Sequence, residues 1–385
     1  MLELMRPMRL MGLVGLVGLM ALAGCSSDAE EQDMPTGNGP TAASVEVMSY
    51  VAGFEENTTL TRSWTPPTGY SLYDEDDKAI GIGFTQNGKE PLSGFFFKSS
   101  GKWRTSVELA DAGTYYLYGY IPHTSGISST ITDRYGANAN YSEGAKVTLT
   151  NVPAIMPNDL CVVIGAKDGT GKETVDGLRS GSFAYNAKAI KADDDEAAGN
   201  FVFLLFDHLY AAVRIRMRVH DDYNTLRTIK LKSLQLSTKA SETTSKVKTD
   251  IAIELKKTDG STPGESPIVG ITYTPRGENI DGGLEFWSST AGETMTTEYS
   301  THIGHFMPQD ITTLILTSIY DVYDKQGNLI RQDCKATNTM TLSELLTGQA
   351  TTRRGCRYTI NMTIKPTYIY MLSEPDLNNP EVTIE

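Results

Sequence analysis

Cysteine, histidine and basic residues are scarce in this sequence. The chain of 385 residues contains 4 cysteines and 5 histidines, and its 34 lysine and arginine residues are outnumbered by 47 aspartate and glutamate residues, giving a formal net charge of −13. Phosphate binding requires a basic surface, so the charge argues against nucleic acid as a partner. The cysteines are too few for a disulfide framework and lack the close paired spacing of a zinc site.

Recognisable catalytic patterns are missing as well. No Gly-x-Ser-x-Gly sequence occurs, and Cys161 lies in an apolar run where a buried, inert thiol is expected. The sequence His302–His305 matches a synthetase signature, but no nucleotide-binding unit surrounds it. Residues 164–172 resemble a phosphate loop but lack its first glycine and its Ser/Thr. The acidic runs 74–77 and 193–196 lack the spacing of a calcium loop. We therefore predict no catalytic residue, no metal site and no cofactor, and a protein that is not an enzyme.

The first 24 residues have the features of a secretory signal peptide. Arg6 and Arg9 precede an apolar, glycine-interrupted run that is too short for a stable membrane span. The run ends in Leu22-Ala-Gly-Cys25, which resembles the bacterial lipobox, so Cys25 is predicted to carry the lipid anchor and to become the first mature residue. An ordinary leader with a chance cysteine is the alternative. Residues 25–43 are acidic and then rich in Pro and Gly, which indicates a solvated tether.

From Ser44 onward the dominant pattern is period-two alternation in short runs separated by turn residues. The clearest case is Val213–Val219, where apolar residues alternate with arginines, and Tyr358–Ile364 repeats the pattern. The alternation shifts between Leu231 and Leu234, which predicts a β-bulge. One segment, 341–348, has a helical pattern that starts with a Thr-x-x-Glu capping box.

These patterns predict an all-β protein, and its length favours two sandwich domains in series. The predicted domains are 44–198 and 199–385, the second with a C-terminal tail, and the acidic segment 192–199 is the boundary between them. A long hairpin loop within one domain is the competing interpretation. With Cys25 lipidated, three thiols are left in an oxidising compartment, where Cys334 and Cys356 can pair.

Several stretches together resemble the fimbrillin (Mfa-like) family, the lipoprotein precursors of type V fimbriae. The likeness runs along most of the mature chain. It lies in an early Thr-Arg-x-aromatic sequence (Thr61–Trp64), an Ile-Gly strand (Ala79–Phe84), a tyrosine-rich strand ending in proline (Thr114–Pro122), and a strand with His-Leu and a basic tail (Phe203–Met217). In the C-terminal half it lies in Met307–Gln309 and Gly355–Ile364. The resemblance implies two transthyretin-like β-sandwiches. It also implies subunits that assemble by donating a strand across a sheet edge after a protease removes an N-terminal strand.

The sequence supplies candidate residues for such an assembly. The alternating strand from Ser44 to Val51 is followed by a polar stretch, 55–59, predicted to be an exposed loop, and a trypsin-like protease would cut between Arg62 and Ser63. The tail 367–385 is the candidate donor strand, although two prolines interrupt it. The alternative is that Arg62 is an ordinary loop arginine and the strand never leaves, as in an anchor or tip subunit.

The predicted function is that of an outer-membrane lipoprotein acting as a shaft, anchor or tip subunit of cell-surface fimbriae. Its partners would be other fimbrial subunits through strand donation, the outer membrane through the lipid anchor, and a receptor on a host or bacterial surface. A surface glycan-binding lipoprotein is the alternative, in which Trp64, Trp103 and Trp287 would stack on sugar rings.

Overall fold

The computed structural model describes residues 43–56, 70–72, 78–169, 182–191, 199–258, 265–308, 311–345, 351–365 and 381–384. The predicted signal peptide, Cys25, and the predicted cleavage site at Arg62 and Ser63 lie outside these residues, as do most of the tether and of the C-terminal tail. Strands dominate the described chain, so the prediction of an all-β protein with sandwich-like domains is confirmed.

The described part of the first half of the chain contains thirteen strands. They are β1 (Ala43–Ser44), β2 (Glu46–Ala52), β3 (Glu55–Glu56), β4 (Tyr70–Leu72), β5 (Ile80–Thr85), β6 (Leu92–Ser99), β7 (Lys102–Thr105), β8 (Gly113–Ile121), β9 (Ser128–Asp133), β10 (Gly144–Pro153), β11 (Ile155–Met156), β12 (Cys161–Asp168) and β13 (Ala184–Ala187).

The strands of the second half are on average longer. They are β14 (Phe201–His208), β15 (Ala211–Val219), β16 (Thr228–Ala240), β17 (Thr243–Thr244), β18 (Lys246–Lys256), β19 (Ile268–Asn279), β20 (Leu284–Thr294), β21 (Ser300–Phe306), β22 (Thr313–Tyr323), β23 (Leu329–Thr341), β24 (Cys356–Ile364) and β25 (Glu381–Ile384).

The first sandwich pairs a large curled sheet with a smaller one. The large sheet has the order β1-β7-β6-β5-β8-β12-β14-β2-β4, with β13 added beside β8, and the small sheet has the order β19-β18-β10-β9. Apolar side chains of β8, β12 and β14 meet those of β10 and β18 in one core. A second core fills the other face of the large sheet, because that sheet curls around its own strands β5, β6 and β13.

The second sandwich encloses one core between two sheets. One sheet has the order β11-β21-β15-β24-β25, with β3 also paired to β24, and the other has the order β17-β16-β22-β23, with β20 paired to β16. The buried residues of β15 and β24 face those of β16 and β22 across this core.

The sheets are not divided at residue 199. Strand β14 lies inside the large sheet of the first sandwich, antiparallel to β12 and parallel to β2, and β18 extends the small sheet by pairing with β10. The cause for β14 is its composition, because a continuous run of apolar residues is buried on both faces and therefore takes an interior position. Segments from both sides of the predicted boundary thus build the first sandwich, and residues 192–198 themselves lie outside the described chain.

Strands β15, β16 and β24 were predicted from their alternating sequence patterns. In β15 the four alternate apolar residues from Val213 to Val219 are buried and Arg218 is exposed, as predicted. The register of β16 against β22 shifts between Leu231 and Ser233, which confirms the bulge. In β24 the alternate residues from Tyr358 to Ile364 are buried in the core, as predicted, and the residues between them are buried as well because the strand lies between β15 and the strands on its other side.

Helical structure is limited in the described residues. Helix α2 (Leu342–Leu345) confirms the start of the predicted helix, although Thr341 still belongs to β23. Helix α1 (Asp221–Leu226) was not predicted. It begins after His220, whose ring nitrogen accepts a hydrogen bond from the backbone N–H of Asp222, and it has acidic residues in its first turn.

Candidate functional site

The N-terminal segment, residues 43–56, connects the two sandwiches. Strand β1 pairs with β7, and β2 lies in the large sheet between β14 and β4, parallel to β14 from Phe201 to Phe206. Two residues beyond β2, β3 pairs in parallel with β24 in the second sandwich. Within the described chain, β4 pairs only with β2, and β14 has β2 as its partner on that side. The segment therefore closes an edge in each sandwich.

Alternate side chains of the segment enter the two cores of the first sandwich. Ala43 and Val45 are buried in the core enclosed by the curled sheet, and Val47 packs against that core. Met48 and Tyr50 point to the opposite face and pack against the core shared with the small sheet. This is the period-two pattern of a strand with apolar contacts on both faces, so the segment is an integral strand of the sheet.

Beyond β2, ion pairs and hydrogen bonds attach the segment to the second sandwich. The Glu56 carboxylate accepts hydrogen bonds from Arg214 Nη2 at 2.7 Å and Arg357 Nε at 2.8 Å, and the backbone N–H of Glu55 donates to the carbonyl of Gly355 at 2.8 Å. Burial raises the pKa of Glu56, but the hydrogen bonds and charges of Arg357 and Arg214 outweigh burial and lower it. Arg353 lies 3.8 Å from the Glu55 carboxylate. The prediction that 55–59 is an exposed loop is therefore wrong in its secondary structure for Glu55 and Glu56, which pair with β24 as a strand, although Glu56 is exposed.

Between β2 and β3 the segment covers a buried polar cluster. The ring of Phe54 stacks on His208 with 3.8 Å between ring centroids, and His305 lies 5.9 Å away. His208 Nδ1 donates to Asp159 Oδ2 at 2.6 Å, and the Cys161 thiol donates to the same oxygen at 3.0 Å. We call Asp159, Cys161 and His208 the seam cluster, because it lies where β14 leaves the first sandwich.

The charges of the seam cluster depend on each other. Burial lowers the pKa of His208, but the attraction and hydrogen bond of Asp159 outweigh burial and raise it. Burial raises the pKa of Asp159, and His208 in turn lowers it. Burial lowers the pKa of His305 despite the nearby Asp159 carboxylate, and His305 Nδ1 lies 3.1 Å from the carbonyl oxygen of Pro157. Asp159 and His208 thus favour each other's charged forms, whereas burial favours the neutral form of His305.

A second buried ion pair fastens the same region to the second sandwich. Arg354 Nη1 donates to Asp207 Oδ2 at 2.8 Å and to the carbonyl of His208 at 3.0 Å. The backbone N–H of Gly355 donates to the carbonyl of Tyr210 at 2.9 Å. Residues 351–354 also line an open cleft of about 460 Å³ against one side of β19. The loop before β24 thus joins the end of β14, the N-terminal segment and this cleft.

The two ends of the described chain share one edge of β24. Strand β15 occupies one side of β24 along its length, so β3 at Cys356–Arg357 and β25 at Ile360–Thr363 lie on the other side. The last strand of the predicted donor tail therefore pairs with its own chain here.

The other residues singled out from the sequence have local structural roles. Cys334 and Cys356 are not joined by a disulfide in the structure and lie on strands of the two different sheets of the second sandwich, and Cys161 is a reduced thiol as well. His302 and His305 lie on β21, whereas the synthetase signature requires the start of a helix. Trp103 packs against a core with Lys98 over its ring, and Trp287 packs against His302; both are partly buried. Trp64 lies outside the described residues.

Sequence reasoning did not find the seam cluster or the anchoring of Glu56. The apolar run that ends in Asp207-His208 contained a signal, because two ionisable residues at the end of a buried strand require partners. Those partners come from residues far away in the sequence, and the pattern of one strand does not identify them.

No helix among the described residues is both long and apolar enough to cross a bilayer.

Comparison with known proteins gives similarity only at the level of solved structures. No family model and no curated protein match the sequence. An inferred cell adhesion protein from Bacteroides uniformis is 11% identical over 91% of this chain and 98% of its own, with a TM-score of 0.34. A fimbrial protein from Bacteroides vulgatus is 13% identical over 90% of this chain and 98% of its own, with a TM-score of 0.34. An inferred cell adhesion protein from Bacteroides fragilis is 12% identical over 89% and 97%, with a TM-score of 0.34. These three similar structures all come from Bacteroides species.

Proposed function

We propose that this protein is a lipid-anchored structural or adhesive subunit of cell-surface fimbriae, and that its N-terminal segment holds the place of a strand supplied by a neighbouring subunit. The observation that carries the proposal is the position of β2. It is bonded along β14, and the chain between β3 and β4 contains Arg62 and Ser63. One cut in that connection would separate the segment covalently from the rest of the fold.

Loss of the segment would create an acceptor site. Strand β14 would lose its parallel partner from Phe201 to Phe206, and β4 would lose the strand with which it pairs. Unpaired backbone groups on a sheet edge, next to apolar positions vacated by Val45 and Met48, favour capture of another strand. The C-terminal tail remains the candidate donor. Since Glu381–Ile384 pairs with its own β24, donation of that strand to a neighbour requires that it leave this sheet.

Limited trypsin digestion of the mature protein tests strand replacement. We expect trypsin to cut after Arg62, which mass spectrometry detects. Under conditions that weaken the ion pairs of Glu56, the segment should then be released and higher oligomers should form, which size analysis detects. The Arg62→Ala variant is the matched control and should stay uncut at this position and monomeric. Cutting without oligomers, or no cutting at Arg62, would instead favour an anchor or tip subunit that retains its strand.

Membrane attachment is tested separately. Cys25 is the proposed acylation site because of the lipobox sequence before it. A Cys25→Ser variant should be recovered as a soluble protein, whereas Cys334→Ser should fractionate with the outer membrane like the wild type. Firm membrane association of the Cys25→Ser variant would refute lipid anchoring without affecting the strand-replacement experiment.

A further inference from the structure

The seam cluster has the composition of a metal site. Asp159, Cys161 and His208 bring a carboxylate, a thiol and an imidazole together, and their ligand atoms all lie within 4.8 Å of one another. Carboxylate, thiolate and imidazole are the three kinds of ligand that proteins use for zinc. Strands β12 and β14 fix two of these residues, because Cys161 and His208 are directly paired across the sheet.

Hydrogen bonding inside the cluster is incomplete. Among the described residues, Asp159 Oδ1 is buried and has no hydrogen-bond partner. Buried polar atoms without partners are costly, so each of them needs a physical reason. A cation bound by the carboxylate would give Asp159 Oδ1 a partner, since carboxylates bind metal ions through one or both oxygens.

The distances are close to those of a tetrahedral ion. Metal–ligand lengths of about 2.0–2.3 Å place neighbouring ligand atoms about 3.3–3.6 Å apart. Cys161 Sγ and His208 Nδ1 are separated by 3.7 Å, while Asp159 Oδ2 lies 3.0 Å and 2.6 Å from them. A movement of the Asp159 carboxylate by roughly 0.8 Å would therefore bring all three atoms to ligand spacing. Water would complete the coordination.

The charge balance favours a divalent ion. A metal ion is bound by a thiolate, a carboxylate and a neutral imidazole, so Cys161 and Asp159 together would supply two negative charges. These balance the two positive charges of a divalent cation, and the buried site carries no net charge when it is occupied.

We propose that Asp159, Cys161 and His208 form a binding site for a borderline-soft divalent cation, Zn²⁺, beneath Phe54 of the N-terminal segment. The site departs from the sequence prediction of no metal. That prediction relied on close cysteine spacing, whereas these ligands come from strands that are distant in the sequence.

Cobalt substitution of the full mature protein tests the site directly. We expect the protein to retain about one zinc ion per chain after dialysis, by atomic emission, and to give a thiolate-to-cobalt charge-transfer band when loaded with Co²⁺ instead. Cys161→Ser should abolish the band, and Asp159→Asn and His208→Gln should lower zinc affinity at least tenfold in a chelator competition. Cys334→Ser, which changes a thiol on another sheet, should preserve both the band and the affinity.

The native protein decides the question even if a variant fails to fold. A native chain that retains no zinc, or that binds Co²⁺ without the charge-transfer band, would overturn the proposal. Loss of the band in Cys334→Ser would also overturn it, because the thiolate would then come from elsewhere.

Discussion

The ion pair between Asp207 and Arg354 gives a quantitative test of how the two sandwiches are joined. Replacing Asp207 by Asn keeps the size of the side chain and removes its charge. Asp207 is 5% exposed and Arg354 is 19% exposed, so the guanidinium would be left mostly buried without a counter-ion. Removing one partner of a buried pair typically costs 3–5 kcal/mol, and the residual exposure of Arg354 favours the lower limit, about 3 kcal/mol.

The expected loss is large compared with the stability of a typical domain. Domains unfold with about 5–15 kcal/mol, so a loss of about 3 kcal/mol should shift the urea midpoint clearly. Because Asp207 lies on β14 and Arg354 lies before β24, the variant should also unfold in a broader transition or in two steps, as the sandwiches become less tightly coupled. Urea unfolding followed by both fluorescence and circular dichroism measures these effects.

A double-mutant cycle separates the ion pair from the packing around it. In Asp207→Leu with Arg354→Met, no charge is left buried, and the remaining loss comes from two hydrogen bonds to the backbone of His208, about 2 kcal/mol in total. The double variant should therefore be more stable than either single variant. Asp333→Asn is the surface control, since its pair with Lys232 is largely exposed and should contribute less than 1 kcal/mol. A cost of Asp207→Asn below about 1 kcal/mol, or a double variant as unstable as the sum of the single ones, would refute this account.

Three further predictions concern single sites. Ile215→Ala should lower the free energy of unfolding by about 2–5 kcal/mol because Ile215 is fully buried, whereas Arg218→Ala on the exposed face should cost less than about 1 kcal/mol; similar urea midpoints would contradict the assignment of faces. Gly119→Ala should cost about 1–3 kcal/mol in a thermal melt because its new methyl group would collide with the Gly81 carbonyl, while Gly126→Ala, which has open space, should melt like the wild type. Burial raises the pKa of Asp133, but hydrogen bonds from four backbone N–H groups outweigh burial and lower that pKa. The stabilisation that Asp133 provides is therefore present above its ordinary pKa and is lost as the pH falls through the lowered pKa. Asp133→Asn should remove this part of the pH dependence of stability, and an unchanged pH profile would contradict the prediction.

The strands that could be predicted from the sequence are those with one face exposed to solvent and the other buried. In β15 the alternation of apolar residues and arginines fixed the buried face, and the phase change in β16 located its bulge. Strand β14 shows where this reasoning ends, because an apolar run buried on both faces contains no information about its neighbours. Its pairing with β2 places it in the first sandwich, although it follows the predicted domain boundary.

Only the part of the candidate site that lies in one continuous stretch of sequence was predictable. The alternating strand from Ser44 and the arginine beyond it can be read from one stretch of sequence. Contacts of Glu56 with Arg214 and of Asp159 with His208 cannot, because they depend on which strands meet in three dimensions. The acidic pair Glu55-Glu56 has the composition of a loop, and its partners turn it into a strand.

The pairing of β3 with β24 has a consequence for the order of folding. Glu56 and Arg357 are separated by 301 residues, and β2 must also wait for β14 before it finds its parallel partner. Contacts of such high contact order form slowly, since the loop between them must be closed before they contribute any stability. Most of the sheet can form from strands that are closer in sequence, so the N-terminal segment docks last. Refolding from urea should therefore show a slow final phase in which Phe54 packs onto His208, and that phase should be absent from a chain that begins after the segment.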